Sequence, residues 1–448
     1  MIVISILNNN QETKVRTIES IHNKIIVNET NVEDIPGYLI DEIESIQNKI
    51  LFNETNIEDI QGYQIDGIDR FVWYEQEWKK ELKDKEPPKV EKITLLSAYE
   101  YDVEYSISLS TPNIKYGIVF CRYFDMNGKE IVPPIRSFNY PQYVVNCPKR
   151  EETVKISLSA DQNGSYPYPI PLNNRSKRQY SYELSCCMSA IYGNESKWLH
   201  IAEVIEHYKL QGVQKFYFYV YYIDEYSSAI LNDYARTGEV DVTYFLDRDN
   251  REPEDWHGVG IKDCTLRTRW MSKWSIFHDI DERLIMTGYP GNILDYVRDI
   301  KDQSIAGIIF RQRWILKTEF MPEKYEGDKQ IDEWSPTLRW HNTSSVGPPM
   351  HTVKTIVMPE KIFSMWTHYP DKMYPGYKLY SLKPEEGIVR HYRDQTMWDW
   401  GRKWLKEVLK FGPFNLTNYP EKYQKDLIDN VKKRTKYVYL DYTKRLYN

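Results

Sequence analysis

Three carboxylates fall within four positions of this chain: Asp279, Asp281 and Glu282, in the stretch FHDIDERL from Phe277 to Leu284. An apolar run, Trp274-Ser275-Ile276-Phe277, precedes them, so a buried strand is expected to deliver them at its carboxyl end. Carboxylates packed in such a place repel one another and resist losing water. A bound cation, a nearby arginine or exposure to solvent must offset that cost. Residues i and i+2 of a strand face one side, so Asp279 and Asp281 are expected to approach one ion together. A hard divalent cation held by oxygens can bridge a diphosphate and neutralise a departing nucleotide. A short D-x-D also occurs as a plain acidic turn. A second acidic stretch, Asp247-Arg248-Asp249, runs into the charged NREPEDW and reads as a loop.

Other residues could complete such a site. The segment GIKDCTLRTRWMSKW (260–274) carries Asp263, Arg267 and Lys273. Arg267 follows Asp263 by four positions, a spacing that either braces a helix or sets the guanidinium, or Lys273, against phosphates. Histidines number nine. His391, in IVRHYRD with Arg390 and Arg393 beside it, offers an imidazole for the ion and two cations for a diphosphate. His368, in MWTHYP, is the runner-up. Asp332 and Glu333, in QIDEWSPTLRW, are placed as candidate general bases by position alone.

Composition narrows the class. The net charge of −6 gives no support to nucleic-acid binding. No apolar run approaches the ~20 residues of a membrane span, and the opening MIVISIL is too short for a signal-peptide core. There is no P-loop, no Rossmann glycine fingerprint and no G-x-S-x-G elbow. The chain has 37 tyrosines and 13 tryptophans, enough that some rings must lie at surfaces or clefts, where stacking on sugars is one use. Seven N-x-S/T sequons occur, at Asn28, Asn53, Asn163, Asn174, Asn194, Asn342 and Asn415. Of five cysteines, Cys121 and Cys147 share a β-rich stretch and could pair; the odd count leaves at least one thiol free.

Several elements must position these groups. At the N-terminus, residues 18–41 return as residues 43–66 with 18 of 24 positions identical. Ile18, Ile21 and Ile25 have helical spacing, so each copy is expected to be a short helix and turn within a dispensable stem over 1–89. A chain starting near Pro87 is expected to fold normally. KDKEPPKVEK (83–92) reads as a linker. Alternation of period two then marks a small β-sandwich over 90–165, with a second linker from Asn163 to Tyr180. From Tyr182 strands alternate with amphipathic helices closed by Gly212 and Gly238, which implies a parallel sheet with crossovers. Ligands of such sheets sit at the carboxyl ends of strands, where Asp279 to Glu282 fall.

The segments CCMSAIYGNESKWLHIAEVIEHYKLQGVQKFYFYV, HGVGIKDCTLRTR, SKWSIFHDIDERL, KTIVMPEKIF and IVRHYRD, in this order, closely resemble the glycosyltransferase family 92 domain. The resemblance covers roughly residues 95–394. It implies an α/β fold of GT-A type over 181–440 and an inverting, Mn²⁺-dependent transfer from a nucleotide sugar, usually UDP-galactose. The product is a β-linked galactoside on a glycan or glycoprotein acceptor. Known acceptors of the family include fucose on N-glycan cores and plant pectic galactan. Asp279 and Asp281 match the family's D-x-D, Glu282 its following acid, Asp263 and Arg267 its D-C-x-x-R, and His391 its H-Y-R. Ser189-Ala190 departs from the Ser-Pro common there. Members usually carry an N-terminal membrane anchor and work in the Golgi lumen of the secretory pathway; no such anchor is visible here. A catalytically silent carbohydrate binder on the same fold is the alternative.

Overall fold

The structure, a computed structural model, describes residues 2–9, 12–21, 24–31, 70–83, 85–112, 115–246, 251–394 and 399–442, the first three stretches and residues 400 and 442 by backbone alone. The second repeat copy and Asp247-Arg248-Asp249 lie outside them. The chain divides into two compact units, Met1–Gly67 and Ile68–Asn448.

In the first unit β1 (Ile2–Asn9), β2 (Glu12–Ile21) and β3 (Lys24–Asn31) form an antiparallel meander. The helix expected around Ile18–Ile25 is therefore a pair of strands. Val15, Thr17, Ile18, Ile21, Ile25, Ile26 and Val27 are β-branched, stiff at χ1 and better suited to an extended chain than to a helix.

The second unit begins inside the stretch read as stem. Helix α1 (Arg70–Leu82) buries Tyr74 and Trp78. Tyr74 donates to Glu104 Oε2 at 2.8 Å and stacks on Phe363 at 4.9 Å. Trp78 donates to the Tyr116 carbonyl at 2.7 Å and stacks on Phe138 at 4.8 Å. Helix α1 thus belongs with the unit that continues beyond Pro87, where Tyr74 and Trp78 are buried.

Strands β4 (Thr94–Glu100), β5 (Glu104–Ser110), β6 (Ile118–Phe124), β7 (Ile135–Phe138), β8 (Val144–Pro148), β9 (Lys155–Ser159) and β10 (Ile170–Asn174) make a seven-stranded sheet in the order β7-β6-β9-β10-β4-β5-β8. Its two edges meet, with Asn139 bridging to Val145. A disulfide between Cys121 and Cys147 joins β6 to β8 inside the core of Ile107, Val119, Val145 and Leu158. The stretch read as a second linker contributes β10, paired parallel to β4 through Leu172↔Ala98.

The α/β part follows the expected alternation. Strand β11 (Tyr182–Met188), α2 (Trp198–Leu210), β12 (Lys215–Val220), α3 (Glu225–Arg236), β13 (Val240–Tyr244), α4 (Pro253–Thr268) and β14 (Ser272–His278) succeed one another. Gly212 (φ 90°) and Gly238 (φ 81°) end α2 and α3 in the left-handed region. Strands β11 to β14 are parallel. After β14 come β15 (Glu282–Met286), α5 (Ile293–Asp299), β16 (Ile305–Phe310), β17 (Gln312–Trp314), α6 (Asp328–Trp334), α7 (Pro336–Arg339), β18 (Asn342–Thr343) and β19 (Lys354–Val357). Then follow β20 (Ile362–Met365), β21 (Pro370–Met373), β22 (Lys378–Ser381), β23 (Gly387–His391), α8 (Asp399–Val408), β24 (Asn415–Leu416) and α9 (Glu421–Lys436). The main sheet runs β13-β12-β11-β14-β19-β16-β22, with β19 antiparallel to both neighbours. A small sheet, β15-β23-β17, stands beside it. The fold is mixed α/β.

Candidate active site

Strand β14 is the middle strand of seven, buried at every position but Lys273. The chain turns at Ile280-Asp281 and leaves the main sheet as β15. Asp279 and Asp281 therefore sit in a turn, and the same-face rule for strands does not govern them. Their carboxylates part company.

Asp279 Oδ2 lies 3.0 Å from Lys354 Nζ, at the start of β19. The same ammonium is 3.2 Å from Glu282 Oε2 and donates to the Thr367 carbonyl at 3.3 Å, fully buried. Lysine, with the charge of Arg393 added, offsets the repulsion at this end of the cluster. Burial raises the Asp279 carboxyl, but Lys354, His257 and Arg393 outweigh it and hold the group well below the usual carboxylate range. Burial pushes the Glu282 carboxyl up despite Lys354.

Asp281 faces His391. Pairing of β15 with β23 sets Glu282 opposite His391, and Tyr392 N–H bonds the Asp281 carbonyl at 2.8 Å. Gln312 fixes the imidazole. Its Nε2 donates to Glu282 Oε1 at 3.0 Å, which leaves Oε1 as the acceptor for His391 Nδ1 at 3.2 Å. Thr352 Oγ1 also donates to Gln312 Oε1 at 3.2 Å, and Trp314 stacks on the ring at 4.3 Å. With Nδ1 carrying the hydrogen, Nε2 presents a lone pair. It faces Asp281 Oδ2 at 3.4 Å and makes no hydrogen bond. A proton on Nε2 is one cation that can stand between them, and the imidazolium so formed, with Arg393, holds the Asp281 carboxyl well below the usual carboxylate range against burial.

Two electron-pair donors aimed at one point repel unless a cation lies between them. Neighbouring ligands of an octahedral ion with bonds of about 2.1 Å stand about 3 Å apart, close to the separation here. Asp281 and His391 thus fit a divalent ion of Mn²⁺ type. Among the described residues no group of three or more His, Cys, Asp or Glu side chains is arranged to hold a metal by itself.

Of the residues read from the sequence, the structure brings together Asp279, Asp281, Glu282 and His391, with the charge of Arg393 acting on both aspartates. It places the others elsewhere. Glu282 is hemmed in by Lys354, Gln312, the Asp279 N–H (2.8 Å) and His391, a positioning group rather than a base. Asp332 pairs with Lys432 at 2.6 Å and Glu333 with Lys329 at 3.5 Å, both exposed on α6, so neither meets the cluster. Asp263 is fully buried and accepts from Ser108 (2.6 Å), Tyr99 (3.0 Å), Tyr219 (2.6 Å) and Arg267 (3.2 Å), tying α4 to the β-rich sheet. Asp263 and Arg267 are thus occupied with each other and with the hydroxyls around them. Lys273 is exposed at the opposite end of β14, about 20 Å from Asp279 at strand rise. Arg390 is buried and spends its donors on Tyr392, Thr417 and Asn418. His368 turns Nδ1 to the Val353 carbonyl at 3.1 Å, and burial lowers it to about 4.

Sequence reading missed Lys354, Gln312 and Asp394. A lysine inside the apolar VKTIV was a signal for the first; Gln312 carried none. Asp394, three residues after His391, pairs with Lys317 at 3.2 Å, and burial raises its carboxyl. A second disulfide, Cys187–Cys264, links β11 to α4 and leaves Cys186 as the free, buried thiol.

Carboxylates, a lysine and an imidazole converge at the carboxyl end of the central strand of a mostly parallel sheet, the place where α/β proteins hold ligands. The family model described as glycosyltransferase family 92 matches residues 182–427, and the chain belongs to that family. Beta-1,4-galactosyltransferase galt-1 of Caenorhabditis elegans is 25% identical over 227 residues, a match covering 48% of this chain and 49% of the relative. The chain thus spans about half the length of that relative. Among solved structures, mannosyltransferase PcManGT from Pyrobaculum calidifontis, in complex with GDP-Man and Mn²⁺, matches 58% of this chain and 72% of its own at 10% identity and a TM-score of 0.29. HddC from Yersinia pseudotuberculosis matches 52% of this chain and 100% of its own at 12% identity and a TM-score of 0.25.

Proposed function

We propose that this member of glycosyltransferase family 92 is an inverting, metal-dependent transferase on a GT-A-type fold. It moves a sugar, galactose from UDP-galactose, to a glycan or glycoprotein acceptor and forms a β linkage. The observation that carries this is the facing pair of Asp281 Oδ2 and His391 Nε2 at 3.4 Å, in a chain of this family. The name of the nematode relative supports the donor and the linkage.

Asp281 and His391 would hold the Mn²⁺, which when bound offsets the negative charge of the departing UDP. Gln312 keeps the imidazole in the tautomer that presents Nε2, and Trp314 fixes its plane. Arg393 adds positive charge beside both aspartates, where a diphosphate is attracted. An inverting transfer needs a base for the acceptor hydroxyl. Asp394, three residues after His391, is taken for that role: burial raises its carboxyl although Lys317 stands 3.2 Å away. The two disulfides favour an oxidising compartment, in keeping with the secretory pathway and Golgi lumen. No helix among the described residues is long and apolar enough to cross a membrane.

Incubation with UDP-galactose, a fucosylated glycan array and Mn²⁺ tests the reading. A β-galactoside formed with Mn²⁺ and lost in EDTA is the expected result. Transfer that survives EDTA, or an α-linked product, would overturn it.

A further inference from the structure

The turn between β20 and β21, Trp366-Thr367-His368-Tyr369, stands at the rim of the acid cluster and carries two exposed rings. Trp366 is 39% exposed and Tyr369 37%, and no other described tryptophan is as open. A single exposed aromatic needs no explanation, but this one is held from three sides. The Trp366 N–H bonds the Tyr369 carbonyl at 3.1 Å and closes the turn. Lys354 of the cluster donates to the Thr367 carbonyl at 3.3 Å, and Thr355 Oγ1 to the His368 carbonyl at 2.7 Å. Helix α4 supplies the third side. A Cβ at Gly258 would stand 3.5 Å from the indole, in ordinary contact. Lys262, one turn further along the same face of α4, sets its ammonium 5.1 Å from the ring centroid. Lys262 is 1% exposed, and its charge is met by Asp371 at 3.1 Å and 3.2 Å and by Ser364. Burying an ammonium costs desolvation, yet here one is seated against a ring that solvent still reaches.

We propose that Trp366 is a stacking platform for a pyranose ring of the acceptor saccharide. The proposal rests on the transferase reading above and names a surface for its acceptor. An indole already fixed in place loses little freedom when a ligand settles on it, and the C–H face of a pyranose fits such a ring. The charge pattern favours a neutral ligand. Lys262 and Asp371 offset each other, so the platform has no net charge to draw a nucleoside diphosphate. A saccharide has no charged handle and depends on ring faces and hydroxyl partners. Such partners stand close by. Tyr369 brings a hydroxyl in the same turn, and His257, next to Gly258, holds a buried Nε2 with no hydrogen-bond partner among the described residues. The platform is also continuous with the cluster: the Lys354 ammonium alone separates the Thr367 carbonyl from Asp279 Oδ2. A sugar on Trp366 thus lies beside the acids.

The test uses the full chain and the fucosylated glycan array, with two readouts: glycan binding without donor, and acceptor KM with UDP-galactose and Mn²⁺. Trp366→Ala should weaken glycan binding and raise acceptor KM by at least about fivefold. Donor KM, and hydrolysis of UDP-galactose without acceptor, should stay as they were. Trp366→Leu keeps an apolar side chain on α4 but removes the ring, and should behave as the alanine variant does. Trp366→Phe keeps a ring and should stay within about threefold of the unsubstituted chain. Tyr168→Ala removes a ring that is 82% exposed on the β-rich part and should change neither readout. Unchanged binding and acceptor KM in the alanine and leucine variants would overturn the platform, as would an equal loss in Tyr168→Ala. A raised donor KM with acceptor KM unchanged would overturn it too, by moving the ring to the nucleotide. Glycans bound through Trp366 but never galactosylated would overturn the transferase reading and leave the platform standing. A chain that neither binds nor modifies any glycan would overturn both.

Discussion

Removing α1 tests whether the N-terminal boundary of the catalytic unit lies before or after residue 87. A chain beginning at Pro87 lacks Tyr74 and Trp78, which are 1% and 2% exposed. Emptying a buried aromatic pocket costs about 3–5 kcal/mol per side chain. Glu104, fully buried, would lose the Tyr74 hydroxyl at 2.8 Å and the Arg70 guanidinium at 3.5 Å. A buried carboxylate stripped of partners costs about 3–5 kcal/mol more. The freedom regained by the 13-residue helix is set against these losses, and the part that falls on the remaining core, with its bared Glu104 and emptied aromatic pockets, is a large share of a total stability of about 5–15 kcal/mol. The comparison is between chains starting at residue 68 and residue 87, by thermal melting and by donor turnover. The longer chain should melt cooperatively and higher; the shorter should melt lower or aggregate. Tyr74→Ala in the longer chain should reproduce part of the loss, whereas Val72→Ala, at a half-exposed site, should shift stability by no more than about 0.5 kcal/mol. Equal melting of the two chains would refute the placement of α1 in the core.

Four further outcomes are expected. His391→Ala should raise the Mn²⁺ concentration for half-maximal activity, while His368→Ala leaves it unchanged; the reverse order would sink the assignment of the ligand. Asp263→Asn leaves the partly buried Arg267 unpaired and should cost about 3 kcal/mol of stability with no change in donor KM, so an altered KM would restore Asp263 to the donor site. Asp394→Asn should lower kcat and leave donor KM nearly as it was, and a full kcat would exclude it as the base. The last concerns pH. Burial holds the His207 imidazole well below its usual range, with Nδ1 on the Tyr419 hydroxyl and Nε2 on the Leu284 carbonyl. Below about pH 6.5 the unfolded chain binds a proton that the folded one refuses, so the contribution is whole above 6.5 and shrinks as pH falls. The slope is at most about 1.4 kcal/mol per pH unit, and His207→Gln should flatten the melting temperature between pH 7 and 5 relative to the unsubstituted chain.

Periodicity is local, so the sequence alone determined the parts that depend on neighbours in the chain. The alternation of β11, α2, β12, α3, β13, α4 and β14 follows from apolar runs and glycine stops. The position of Asp279 to Glu282 follows from the end of one such run. His391 stood out because imidazole and guanidinium groups crowd IVRHYRD. The partners of those groups were another matter. Asp263, Arg267 and Arg390 have the same chemistry as phosphate ligands, and only the arrival of Tyr99, Ser108 and Tyr219, or of Thr417, shows their hydrogen bonds to be spent. Lys354 is 75 positions from Asp279 in sequence, and it meets that carboxylate because β19 inserts beside β14. Strand order in a sheet is chosen by burial over the whole chain, not by any segment's own pattern. Which carboxylate keeps a lysine and which faces a histidine was therefore decided only by the tertiary structure.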